Sequence, residues 1–258
     1  MRNFKFDTLL LEKDLTYGER WSPSQVSSYS DLIKRGILKD MNLALCRNIC
    51  YSLQYLEYID FQLKELKLHN VVEKLLCKTF IITSISIVEA IFYYILKNNN
   101  EHKTVKEKLF FTTRSNKKKL DDEDVIVETN FFKCIESEEC EMSFDTMIKK
   151  MEKGKYLDLK HEFFPYLKKF KDLRNRVHIH ITDNKKDETD FFKFGRRDYL
   201  FIKYMLLSLL MDEKIQKTTP EDKIIGKIVP KAYHFLVLTK EEKEDVLIKY
   251  NNQKNKEE

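Results

Sequence analysis

From Leu43 onward the chain repeats apolar positions at helical spacing. Leu45, Ile49, Leu53, Leu56, Leu63 and Leu66 recur at intervals of three, four and seven, with Arg47, Gln54, Glu57 and Lys64 opposite them. This predicts an amphipathic helix that loosens near Leu68-His69-Asn70. A second helix follows from about Val71 to Leu96, and the polar run at 97–100 ends it. Residues 80–96, FIITSISIVEAIFYYIL, must be tested as a membrane span. The run falls short of the roughly 20 apolar residues that a span needs. Glu89 near its middle would also be costly in hydrocarbon. A buried core helix is expected, with no membrane partner.

Residues 98–140 break the periodicity. SNKKKLDDEDV sets a basic run against an acidic one beside a short apolar patch, and the segment reads as a loop-rich insertion holding at most one or two short helices. Lys117, Lys118 and Lys119 read as solvated loop, with phosphate binding the weaker alternative. Helical spacing returns after Ser143, a candidate N-cap, and stops at Gly154. Pro165 then suits the first turn of the next helix, which carries Leu167, Phe170, Leu173 and Val177 on one stripe. Beyond the polar loop TDNKKDETD comes a helix whose second half, YLFIKYMLLSLL, is apolar nearly all round, as in the middle of a bundle. Residues 1–42 read as an irregular or weakly helical lead-in, turn-like at SPSQVSSYS, with a short helix at DLIKRGIL. Residues 213–258 read as a polar, partly mobile C-terminal extension with one β-like run, YHFLVLT. The expected fold is all-α: long antiparallel helices over 43–212, interrupted by the insertion and flanked by the two extensions.

Composition agrees with that class. Only 5 glycines and 4 prolines punctuate 258 residues, too few turns for a β-sandwich or a βαβ array. The net charge of +5 permits contact with phosphates without requiring it, and solvated helix faces account for it. Cys46, Cys50, Cys77, Cys134 and Cys140 form no CxxC pair and leave one over, which fits a reducing, cytoplasmic setting rather than a disulfide framework or a zinc site. The first apolar run is too short for a signal peptide.

One stretch resists the burial pattern. KDLRNRVHIHITDN, residues 171–184, sets an arginine and two histidines where the apolar stripe is still running. At about 100° per residue Arg174 falls inside the stripe, while Asn175 and Arg176 point off it. A guanidinium cannot shed its charge, so burial demands an anionic partner or access to water. The structural reading pairs Arg174 with a carboxylate of a neighbouring helix, Glu89 being the available one, and leaves the histidines as helix-end residues. The His-x-His at 178 and 180 has no carboxylate or cysteine at a spacing that completes a metal site, so neither metal nor cofactor is expected.

LRNRVHIHI resembles the signature of the HEPN superfamily, small all-helical domains often found as ribonucleases of microbial defence and toxin–antitoxin systems. The family pattern is an arginine, commonly followed by a polar residue, with four to six residues before a histidine. Five residues separate Arg174 from His180, which meets that spacing; three separate it from His178, which does not. The setting is similar too: a long helical hairpin upstream, the motif late in a following helix, then a polar loop and an apolar helix, over roughly residues 43–212. The resemblance implies a metal-independent endoribonuclease whose composite site forms where two copies of the motif meet in a homodimer. It further implies RNA as substrate, with an antitoxin or effector protein as a further partner. Arg174 would stabilise the phosphate, and His180 would move the proton, with His178 the competing candidate. Asn175 would orient the phosphate or the imidazole, Arg176 would contact the RNA backbone or stay solvated, and Glu89 would hold Arg174. An ideal helix sets Arg174 beside His178, so His180 serves only if the helix ends near Val177 or the ring acts across a dimer interface. A non-catalytic relative that binds RNA, a nucleotide or a partner protein remains the alternative.

Overall fold

The computed structural model describes residues 21–120, 123–175, 194–216, 229–244 and 246. Helix α1 (Val26–Ile33) and a 3-10 turn at Gly36–Leu38 precede the two long helices α2 (Leu43–Glu65) and α3 (Asn70–Asn98). Asn42 caps α2, its side chain accepting from the Leu45 amide at 2.8 Å, which fixes the start where the apolar repeat begins. Four connecting residues return the chain onto α2, whose Ile49, Cys50, Leu53, Leu56 and Ile59 form one buried stripe.

Helix α3 is the axis of the molecule. It packs against α2, α4 (Phe144–Gly154), α5 (Phe163–Asn175) and α6 (Arg196–Leu210). That position explains why burial on α3 spreads beyond the single stripe Ile81, Ile85, Val88, Phe92 and Ile95 to Ile87, Ile91 and Tyr94 at its side. By length and composition α3 is apolar enough to cross a membrane, yet half of its most apolar stretch is buried inside the bundle. Ser143 caps α4 by accepting from the Thr146 amide, and the helix closes at Gly154 with Lys155 in the left-handed conformation. Pro165 lies in the first turn of α5, whose Leu167, Phe170 and Leu173 are buried.

Three expectations are corrected. The fold is mostly helical but not all-α, because residues 98–140 form no helices after Asn98 and instead build an antiparallel ribbon. Strand β1 (Thr104–Arg114) pairs with β4 (Glu128–Glu139), and β2 (Lys118–Leu120) with β3 (Glu123–Val125) at the tip. The ribbon was hidden in the sequence because neither face is buried, so no alternation of apolar and polar positions was imposed on it. The run Tyr233–Thr239 is not a strand: Lys231–Leu236 is a 3-10 helix, and Tyr233, Phe235, Leu236 and Leu238 join the core. This part of the C-terminal extension is therefore core rather than polar overhang.

The lead-in also belongs to the bundle. SPSQVSSYS is helical from Val26, and Tyr29, Ile33 and Leu38 are fully buried. Glu57 of α2 fastens it, accepting from the Ser24 amide at 2.7 Å and from the Tyr29 hydroxyl at 2.6 Å. At Gly36, φ is +45°, and a Cβ there would stand 2.0 Å from the Lys214 carbonyl oxygen of helix α7 (Glu213–Gln216). Only glycine allows both that conformation and that approach.

Candidate functional site

Arg174 sits in the last turn of α5, and the packing of α5 on α3 brings it to the middle of the long helix. Its Nη1 donates to Glu89 Oε2 at 2.6 Å. Each partner interrupts the apolar surface of its own helix, and each removes the other's need for water. The pair is not sealed: the side chains are 34% and 23% exposed. A guanidinium offers five N–H donors in a planar fork, so a carboxylate on one terminal nitrogen neutralises the cation and aims it without using its full donor set.

The other sequence candidates are distributed unevenly around this pair. Asn175 is the last residue of α5, and its side chain is not among those described. Arg176, His178 and His180 lie outside the described residues. Nearby, Lys171 of α5 donates to Asp145 of α4 at 3.3 Å, and Lys149 holds the same carboxylate at 2.6 Å. Lys149 and then Lys171 keep the Asp145 carboxyl below the usual range. This arrangement locks α4 against the end of α5 that carries Arg174.

A second polar cluster escaped the sequence reading. Asp60 of α2 is buried, and its Oδ1 accepts from Lys203 Nζ of α6 at 2.6 Å and from the Tyr199 hydroxyl in a short hydrogen bond. Lys64, half-exposed, reaches Oδ2 at 3.0 Å. Lys203 is fully buried, and desolvation holds its ammonium below the ordinary lysine range despite Asp60. Burial, reinforced by Asp60, raises the Tyr199 phenol well above its usual value. The signal was present: Asp60 continues the buried Leu53–Leu56 stripe, and Lys203 is the lone charge inside the apolar half of α6.

Cavities lie elsewhere among the described residues. One of about 390 Å³ is lined by Asp158, Phe163, Tyr204, Met211, Asp212 and Val229. Another borders α1 and includes Arg35, Glu57 and Lys231. Neither contains Arg174 or Glu89. Compared with protein-family models, curated proteins and solved structures, the chain matches none of them.

Proposed function

We propose that the protein is a HEPN-type endoribonuclease, working as a homodimer in phage defence or toxin–antitoxin growth control. The observation that carries the reading is the Arg174–Glu89 pair, a partly exposed guanidinium aimed by a carboxylate just ahead of the chain segment that bears His178 and His180. In the proposed reaction the RNA 2′-hydroxyl attacks the adjacent phosphorus. The 2′-oxygen–phosphorus bond forms as the bond to the 5′-oxygen breaks, leaving a 2′,3′-cyclic phosphate and a 5′-hydroxyl. His180, with His178 as competitor, moves the proton, a task suited to imidazole near neutral pH. Arg174 stabilises the charge gathering on the phosphate oxygens. Asn175 would orient the phosphate or imidazole and Arg176 the RNA backbone. The family chemistry that this reading adopts uses no metal.

Cleavage of labelled RNA in EDTA tests it. The wild type should cut, with Arg174→Ala reducing the rate by about 10²–10³-fold and His180→Ala by about 10²–10⁴-fold. Glu89→Gln should cost less than Arg174→Ala, since it loosens the guanidinium but leaves it in place. An inert wild type, or Arg174→Ala and His180→Ala chains that cut as fast as wild type, would remove the proposal. A second reading, a non-catalytic HEPN-like protein, draws on the same contact, because a guanidinium paired within its own chain also suits a purely structural arginine. It predicts that Arg174→Ala lowers stability while the wild type cuts nothing.

A further inference from the structure

Helix α3 keeps one side that the bundle does not cover. Val72, Leu75, Thr79, Ile82, Ser86 and Glu89 alternate steps of three and four, the first and fourth positions of a seven-residue repeat. None of the six is buried, and Val72 and Leu75 are 46% and 56% exposed. Helix α2 adds a second open stripe, Tyr51, Tyr55 and Tyr58, at 54%, 47% and 41%. The two stripes look out on the same side of the hairpin. Asp60 of α2 and Phe80 of α3 both reach Tyr199 of α6, one by a hydrogen bond and the other by an edge contact. At about 100° per residue the tyrosines stand roughly opposite Asp60, and Leu75 and Ile82 roughly 140–160° round from Phe80. Arg47 and Glu65 close the tyrosine stripe at its two ends, about five turns apart on one side of α2. Neither has an ion-pair partner among the described residues.

A seven-residue spacing fits another helix laid alongside, a period that neither a bilayer nor a nucleic acid imposes. The six α3 positions also hold no cation for a phosphate. Within the repeat, small Thr79 and Ser86 alternate with large Leu75 and Ile82. Reversing one helix against its copy sets first positions over fourth: Thr79 over Ile82, Ser86 over Leu75, and Val72 over Glu89. Small side chains then meet large ones, as interdigitation requires. The charges agree with this arrangement. The same antiparallel two-fold lays Arg47 of one copy over Glu65 of the other, because the α2 and α3 pairings have their midpoints at nearly the same distance from the hairpin turn. The face runs about 26 Å along α3 and two helices, about 18–20 Å, across. Two copies would therefore bury about 1,000 Å², the lower bound for a specific interface. We propose that the outer face of the α2–α3 hairpin docks antiparallel on the same face of a second copy of the chain. The homodimer as such belongs to the ribonuclease reading above, but this surface is argued without it. Each Glu89–Arg174 pair then lies at an end of the interface, closed on one side by the other copy's α3. The two pairs stand about 26 Å apart along the helices, not face to face as a composite site of the family's kind implies.

Sedimentation velocity of the full chain over a range of concentrations reads the dimer directly. Leu75→Glu/Ile82→Glu puts charges at two positions outside the core and should weaken the dimer at least about tenfold, with helicity unchanged. Arg47→Glu should weaken it about two- to fivefold, and Arg47→Glu/Glu65→Arg should restore it. A short bismaleimide reads the register on chains that also carry Cys134→Ser/Cys140→Ser, the other cysteines being buried. Thr79→Cys, beside the two-fold, should cross-link to its copy, and Ser86→Cys, about 16 Å from its copy along the axis, should not. A monomeric wild type, a glutamate pair that dimerises as wild type, or an Arg47→Glu loss that Glu65→Arg does not repair overturns the proposal. Cross-linking at Ser86→Cys also overturns it, since the two-fold would then pass near Glu89. So does a monomeric chain that sediments with phospholipid vesicles through Leu75 and Ile82, which gives the face to a bilayer. RNA cleavage by a chain that stays monomeric sinks this proposal alone. A dimer of this register that cuts no RNA supports it and removes the ribonuclease reading alone.

Discussion

Removing the Asp60 carboxylate should destabilise the bundle more than any other single polar deletion in α2. Lys203 bears this loss in full, since it is buried and Asp60 lies 2.6 Å from its Nζ. Asp60→Ala leaves that ammonium without its charge partner and the Tyr199 hydroxyl without its acceptor. A buried pair broken from one side costs about 3–5 kcal/mol, or roughly 6–20 °C in melting temperature for a chain of this size. Lys203→Met should cost less, about 1–3 kcal/mol, because Asp60 keeps the Lys64 ammonium at 3.0 Å and the Tyr199 hydroxyl. The double variant Asp60→Leu/Lys203→Met removes both charges and should recover most of the loss, in some contexts ending above wild type. Urea unfolding followed by far-ultraviolet circular dichroism measures each step, and adding the single variant Asp60→Leu closes a cycle with Lys203→Met and the double variant that gives the coupling between them. A loss below about 1 kcal/mol for Asp60→Ala, or a larger loss for Lys203→Met than for Asp60→Ala, would refute the asymmetry argued from these distances.

Two further perturbations probe the frame. Gly36→Ala forces a side chain into a left-handed residue and against the Lys214 and Ile215 carbonyl oxygens, so it should cost at least about 2 kcal/mol by thermal melting; a neutral result would mean that the Gly36–α7 contact is not maintained in solution. Alkali should unfold the protein cooperatively, because burial raises Cys50 and Cys77 from 9.0 to about 12 and lifts Tyr29, Tyr199 and Tyr233 above 10.0. These groups keep their protons in the fold and lose them in the unfolded chain, so their stabilisation is complete below pH 9 and falls as pH rises beyond it, by up to about 1.4 kcal/mol per pH unit for each group. Lys203, held low, acts in the opposite sense and offsets one of them; a stability that is flat from pH 9 to 11 contradicts the assignment.

The long helices were legible because burial on one side leaves a period that survives in the residues themselves. Leu43 starts α2 where the repeat begins, and α3 extends only one to two residues past its expected ends. The ribbon was not legible for the converse reason: TVKEKLFFTTR and ETNFFKCIESEE are rich in β-branched and aromatic residues, but nothing packs on them to impose alternation. The short helix expected at residues 31–38 lies earlier, as α1 from Val26 with only a 3-10 turn at Gly36–Leu38; Gln25 gives no side-chain cap and the serine-rich run suggests turns, while Tyr29 is held by Glu57, 28 residues away. The Glu89–Arg174 contact was inferred from two charges that interrupt apolar surfaces. Asp60 and Lys203 carry the same mark, but pairing them needs the register of α2 against α6, which local spacing does not contain.

The central place of α3 sets an order on synthesis. Its apolar surface leaves the ribosome complete at Asn98, yet the α6 surface that covers part of it begins at Arg196. At 5–20 residues per second, the nascent chain spends roughly 5–20 s with that surface uncovered. During that interval a 29-residue helix apolar enough for a bilayer is covered by α2 and then by α4 and α5, but not by α6. Chains truncated before α6 should therefore be the ones that chaperones hold or that stray to membranes.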